Sequence, residues 1–305
     1  MIITYHPDVS VISHIRDLAE QTDHVIVIDN TANAAARDFL EHALAKTHPE
    51  TYSLVFNPTN AGVAAALNRG MKEAMAHQAD WVLTMDQDSH ITSGTVQTML
   101  TTFELLAPEI KLQTALLAPD IISSETIPAT TRSHGPKRPL PVLELQTAIT
   151  SGTMIKPSAW ENVGGFEEQL FIDYVDHDFC FRLRKAGWKI LGCSDAHLVH
   201  MIGQATTLRR WGRDIIIDQH PPFRSYYIIR NGLYFWKKNN EPSDFIRADK
   251  KNTLKLIIKA FLFDTHKVAR IYMFWQGYKD FVCGRFGPYS ETHPAAKSDS
   301  NALTP

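Results

Sequence analysis

Cysteine is scarce: Cys180, Cys193 and Cys283 are the three in 305 residues. An odd number without metal-ligand spacing argues against a disulfide scaffold or a zinc site and points to a reducing compartment. Long apolar runs are also missing, since no stretch reaches the about 18 uninterrupted apolar residues of a bilayer-spanning helix. The first residues already read as a strand, so no leader peptide is expected. These absences predict a cytoplasmic protein. Two glycine signatures are lacking as well. No Gly-x-Gly-x-x-Gly follows the first strand and no glycine-rich loop carries a Walker lysine, which speaks against a dinucleotide-binding Rossmann domain and a P-loop. No internal repeat is visible.

What is present is divided by charge. The net charge of −2 hides an acidic front and a basic rear. Residues 1–200 carry 14 Lys/Arg against 24 Asp/Glu, and residues 201–285 carry 16 against 7. The first part suits cation binding; the second, with interleaved aromatics, suits phosphate or an anionic surface.

Apolar runs and helical patterns alternate through the first hundred residues. Strands are expected at 1–5, 24–30, 52–56 and 81–85, with helices over 10–20, 33–46 and from about 62. Thr59 or Asn60 is the expected cap of that third helix. The alternation predicts a mostly parallel, doubly wound sheet. Further on, a helix is expected over 92–106 and a strand over 112–118. An irregular Pro/Ser/Thr-rich loop with edge strands is expected over 119–145, and a strand-like stretch over 146–156. A helix from near Asp176 is expected to stop at Gly187, before a short strand over 196–200. From 205 the pattern reads as helical and basic, in segments 223–232, 253–263 and 270–286. The tail beyond Pro288 reads as disordered.

Each early strand ends in polar residues: Thr4 and Tyr5, Asp29 and Asn30, Asn57, then Asp86 and Asp88. Carboxyl ends of strands are where open α/β sheets place their ligand crevice. Asp86 and Asp88, two apart on an extended chain, can point to one side. As hard oxygen ligands they suit Mg2+ or Mn2+, which would neutralise a diphosphate. Asp173, Asp176 and Asp178 form a second acidic cluster at a helix start, which a helix dipole also favours.

The motifs in order are Val27-Ile28-Asp29-Asn30, Asn57-Pro58-Thr59-Asn60-Ala61-Gly62, Asp86-Gln87-Asp88, Gly164-Gly165-Phe166, Ile172–Asp178 and Arg230-Asn231. In this order and spacing they resemble the family 2 inverting glycosyltransferases of the GT-A fold, most closely bacterial rhamnosyltransferases of surface-polysaccharide assembly. The resemblance covers Ile2 to about Lys238. It implies a GT-A domain over 1–204, a basic, aromatic helical region over 205–287 and a tail over 288–305. It also implies a nucleotide-sugar donor on Thr4, Tyr5, Asp29, Asn57, Asn60, Arg69, Asp86, Gln87 and Arg230, with Arg224 assisting. The metal would sit on Asp86, Asp88 and His200, and the acceptor near Ser151, Gly152 and Asp173. The family's Glu-Asp dyad reads Val175-Asp176 here, so its Glu is missing. Asp176 is carried over as base, with Asp173 as second candidate.

The expected partners are a nucleotide-sugar donor, here dTDP-rhamnose by resemblance, and a saccharide or lipid-linked acceptor. Peripheral contact with an anionic membrane is expected of the basic rear, no nucleic acid is expected, and a homo-oligomer is compatible. Two rival readings fit the sequence less well. A nucleotidyltransferase expects a glycine-rich basic loop after the first strand, where His6-Pro7-Asp8-Val9-Ser10 stands. A non-enzymatic membrane or nucleic-acid binder leaves the strand-end carboxylates without purpose.

Overall fold

The structure, a computed structural model, describes residues 1–45, 51–122, 142–200, 206–210, 213–217, 221–240, 243–264 and 266–293. The chain divides into two compact units. The first holds Met1–Glu167 and Asp176–Met201, the second Glu168–Val175 and Ile202–Pro305. The eight residues 168–175 thus belong with the C-terminal helices, which composition alone did not reveal.

In the first unit the strands are β1 (Ile2–Thr4), β2 (Val25–Asp29), β3 (Tyr52–Phe56), β4 (Val82–Asp86), β5 (Ser89–Ile91), β6 (Thr114–Ile122), β7 (Val142–Glu144), β8 (Thr153–Ile155) and β9 (Lys189–His200). They form one sheet in the order β3-β2-β1-β4-β8-β6-β9-β5, with β7 also on β9. The β3-β2-β1-β4 half is parallel, as the alternating pattern predicted. Beyond it the sheet is mixed, because β8 runs antiparallel to both β4 and β6. The register sets Thr4 beside Asp29 and Ile3 beside Asp86, so the polar strand ends gather along one edge.

The helices are α1 (Val9–Ala19), α2 (Ala34–Leu44), α3 (Gly62–Ala76), α4 (Thr95–Glu104), α5 (Pro108–Gln113), α6 (Pro157–Asn162) and α7 (Val175–Lys185). On α1, Val11, Ile12, Ile15 and Leu18 are buried, one apolar stripe against the sheet. Each such side chain contributes about 1.5–3 kcal/mol by leaving water. Asn33 caps α2 through Ala36 N–H at 2.7 Å. The expected cap of α3 is corrected: the helix starts at Gly62, whose φ of +83° sets the turn, without a side-chain cap. Asn60 Oδ1 instead accepts Gly62 N–H at 3.0 Å in the turn before it. Gly187 ends α7 as expected, at φ +87° with its N–H on Arg184 O.

Several boundaries differ from the sequence reading. Pro108 opens a short helix, α5, over residues assigned in part to a strand. The stretch 146–156 is strand only at Thr153–Ile155. Lys189–His200 is one twelve-residue strand where a short strand over 196–200 was expected. The irregular loop 123–141 lies outside the described residues.

The second unit contains a two-stranded antiparallel hairpin, β10 (Thr206–Arg210) and β11 (Arg213–Ile217), where a basic helix was expected. Then come α8 (Arg224–Lys238), α9 (Asp244–Phe263), α10 (Lys267–Val282) and one turn, α11 (Tyr289–Thr292), in the tail expected to be disordered. Residues 294–305 are outside the described residues. Helices α8 and α10 meet closely at Gly277, where an added Cβ would stand 2.4 Å from the carbonyl oxygen of Tyr226. That oxygen is backbone and cannot swing aside. Gly277→Ala is therefore expected to push the helices apart at a cost of about 1–3 kcal/mol. A thermal melt reads this directly; an unchanged midpoint would mean the pair has slack.

Candidate functional site

Along the edge formed by β1, β2 and β3, the polar residues are knitted together. Asp29 is 2% exposed and Thr4 is fully buried. Asp29 Oδ1 accepts from the hydroxyls of Thr4 at 2.9 Å and Thr31 at 2.8 Å, and Oδ2 accepts Thr31 N–H at 3.1 Å. Asn57 Nδ2 donates to Asn30 Oδ1 at 2.6 Å, and Arg69 Nη1 donates to Asn57 Oδ1 and to Phe56 O. A buried carboxylate so supplied is oriented by the fold. Beside it lies a cleft of ≈ 260 Å³ lined by Asp29, Asn33, Arg37, Phe56, Asn57 and Pro58. The Arg37 guanidinium sits 4.6 Å from the Phe56 ring centroid. Arg37 and Phe56 were missed from sequence, because a helix arginine and a strand phenylalanine carry no local signal of meeting.

At the end of β4, Gln87 works as a clamp. Its Oε1 accepts Tyr5 N–H at 2.8 Å and its Nε2 donates to Tyr5 O at 3.0 Å. His14 Nδ1 lies 2.9 Å from Gln87 O. Gln87 was expected on the donor; the structure spends its amide on fixing the Asp86–Asp88 turn to β1. Asp88 is exposed and Asp86 half-buried. Among the described residues no third His, Cys, Asp or Glu completes a metal cluster with them. Two hard carboxylates at an open edge fit Mg2+ or Mn2+, which keep waters and take phosphate oxygens. They do not make a closed protein cage. His200 pairs with Ser89 in the β5–β9 ladder.

Ser151 joins this turn to a second cleft. Its Oγ accepts Asp86 N–H at 3.2 Å, while Gly152, at φ +75°, donates its N–H to Thr84 O at 2.7 Å. Ser151 also lines a cavity of ≈ 300 Å³ with Asp120, Thr147, Thr153, Asp176 and His177. Asp176 Oδ1 accepts His177 N–H at 2.8 Å and lies 3.0 Å from His177 Nδ1. Burial pushes the Asp176 pKa up, but the ring hydrogen bond, the imidazole charge and the backbone N–H outweigh it. The carboxyl is thereby held below its ordinary value. Asp178 plays another part: it is fully buried and accepts from Arg182 Nε at 2.7 Å, inside the same helix.

Asp173 belongs to the second unit. Its carboxylate receives Arg224 through both Nε and Nη2. Asp173 and its neighbours Phe171 and Tyr174 all have positive φ, near +61° to +67°. Such backbone costs of order 1–3 kcal/mol per residue and needs bracing. Asn231 supplies it, with Nδ2 donating to the carbonyls of Leu170, Ile172 and Asp173 at 2.7–3.0 Å. Arg230, expected on the donor diphosphate, is corrected by burial: it is fully enclosed and its guanidinium bonds the carbonyls of Leu170 and Gly287. It braces this loop instead of presenting charge.

Comparison with known proteins gives the family. The glycosyl transferase family 2 profile matches residues 2–114. The dTDP-rhamnosyl transferase RfbF of Shigella flexneri is 30% identical over 254 residues, 79% of this chain and 80% of that protein. In fold, the chain is similar to the mannosyltransferase PcManGT from Pyrobaculum calidifontis, solved with GDP-Man and Mn2+. The TM-score is 0.55 at 13% identity, over 99% of this chain and 79% of that one. The first 349 residues of S. aureus TarS, solved with UDP-GlcNAc, give a TM-score of 0.52 at 14% identity, over 92% and 79%. A mixed sheet with its polar strand ends on one edge, a GT-A likeness and a relative matched over four-fifths of its length lead to one conclusion: the chain belongs to glycosyl transferase family 2 and is a glycosyltransferase.

Proposed function

We propose that the chain transfers L-rhamnose from dTDP-rhamnose, with inversion, to a hydroxyl of a saccharide or lipid-linked saccharide in surface-polysaccharide assembly. The sugar and nucleotide follow from the Shigella flexneri relative. In this reading residues 1–204 are catalytic and 205–287 a basic region whose helices serve an anionic membrane face. Asp29, held in place by the Thr4 hydroxyl, receives the nucleoside together with the Arg37–Phe56 cleft.

The observation that carries the mechanism is Ser151. One hydroxyl both holds the backbone of Asp86 and lines the cavity of Asp176. The base and the diphosphate turn are thus registered to each other through a single buried residue. Asp86 and Asp88 would hold Mg2+ or Mn2+, which supplies Lewis-acid stabilisation to the leaving diphosphate. Asp176 accepts the proton of the attacking hydroxyl, His177 keeping the carboxylate ionised. No covalent sugar–enzyme adduct is needed.

The test offers dTDP-rhamnose, UDP-glucose and GDP-mannose separately, with Mn2+ or chelator, and follows release of nucleotide. Turnover of dTDP-rhamnose alone, and only with metal, is expected. Preference for another donor overturns the sugar; turnover in chelator overturns the metal.

A further inference from the structure

Helix α10 is built inside out. Its buried residues include Arg270, Gln276 and Asp280, while Tyr272, Trp275, Tyr278 and Val282 are 51%, 57%, 47% and 62% exposed. At 3.6 residues per turn the exposed set falls on one face and the buried polar set on the opposite one. The polar side is satisfied internally: Arg270 pairs with Asp264 at 2.5 Å, and Asp280 accepts Tyr226 Oη at 2.7 Å. The apolar side is therefore not a misplaced core face. Helix α9 repeats the arrangement, exposing Leu254, Ile258 and Phe261 while burying the small residues Thr253 and Ala260. Ten of the sixteen exposed large hydrophobics among the described residues lie within 254–282. Apolar surface concentrated in this way marks an interaction site.

Charge selects the partner. Between 250 and 282 the only carboxylates are Asp264 and Asp280, and both are buried in the pairs just described. The exposed charges there are Lys250, Lys251, Lys255, Lys259, Lys267 and Lys279. On α9, Lys251, Lys255 and Lys259 run along one flank of the apolar stripe. A second copy would set like charge against like. A surface of anionic headgroups over hydrocarbon complements both features, and Trp and Tyr favour that boundary. No helix among the described residues is long and apolar enough to cross a membrane.

We infer that the outer faces of α9 and α10 form a docking surface for an anionic bilayer, with aromatics entering the interface and lysines on the headgroups. This deepens the membrane setting proposed above and rests on it. Its test needs no substrate, so failure of binding and failure of rhamnosyl transfer are read apart.

The full chain is sedimented with phosphatidylglycerol-containing vesicles and with pure phosphatidylcholine vesicles, over a salt series, and its mass is measured without lipid. Binding to the anionic vesicles alone is expected, with a part that resists salt. Lys251→Glu with Lys255→Glu should lower the partition by about tenfold or more, since each lysine near such a surface counts for roughly a factor of five. Phe261→Ser with Trp275→Ser, both exposed and so neutral to folding, should make the remaining binding fully salt-releasable. Equal binding to both vesicles, or none, overturns the inference. So does a dimer that the serine pair dissolves and that does not bind lipid.

Discussion

Asp176→Asn lowers turnover by about 10²–10⁴-fold, the usual worth of a general base. The amide keeps the size of the carboxylate and can still accept His177 N–H, so the cavity with Ser151 is preserved. Affinity for the nucleotide should be unchanged, because Asp29 and the Asp86–Asp88 turn do not involve this residue. The pH profile gives an independent reading. A base whose pKa is held below the ordinary carboxylate value stays ionised to lower pH, so the acid limb of kcat lies below that value. His177→Ala removes both the ring hydrogen bond and the charge, and should move that limb upward. Asp173→Asn should cost less, since that carboxylate is engaged by Arg224. If Asp173→Asn abolishes turnover while Asp176→Asn leaves it intact, the base is assigned to the wrong aspartate.

Asp88→Ala is expected to remove metal-dependent nucleotide binding and to slow transfer by about 10²–10³-fold, taking the stabilisation of a leaving diphosphate as several kcal/mol. Asp88 is exposed, and its neighbour contact is a 3.4 Å approach from Ser89 Oγ, so the fold should not suffer. Calorimetric titration of dTDP with and without Mn2+ separates the effects. A variant that binds dTDP as tightly as wild type only when metal is present would show that Asp88 is not a ligand.

The parallel half of the sheet was legible because its strands are short β-branched runs ended by carboxylates and amides, a pattern that survives without tertiary knowledge. Asp29 and Asp86 could be named for that reason, whereas Asp176, in the first turn of a helix, was named from the family resemblance. What escaped were relations set by distance in sequence. Gln87 looks like a ligand in a D-x-D turn; that its amide grips Tyr5, 82 residues earlier, is a property of the β1–β4 pairing. Arg230 looks like a phosphate ligand because arginine is usually exposed, yet here five hydrogen bonds use its charge within the protein. The β10–β11 pair was hidden by arginines that favour helix as readily as strand. The apolar stripe of α10 has the same spacing whether it faces inward or outward, so only the structure shows its direction.

The assignment of residues 168–175 to the C-terminal unit has a consequence for biogenesis. The carbonyls of Leu170 and Ile172 are bonded by Arg230 and Asn231, 60 and 59 residues further on. A ribosome delivers every strand of the sheet, through β9, before it delivers α8. Domains generally fold in the order of synthesis. Here the nascent sheet must carry an unfinished stretch in its middle, three left-handed residues included, until the C-terminal helices emerge to hold it. Completion of the segment leading into Asp176 is thus a late event in the life of each chain, set by translation of its last third.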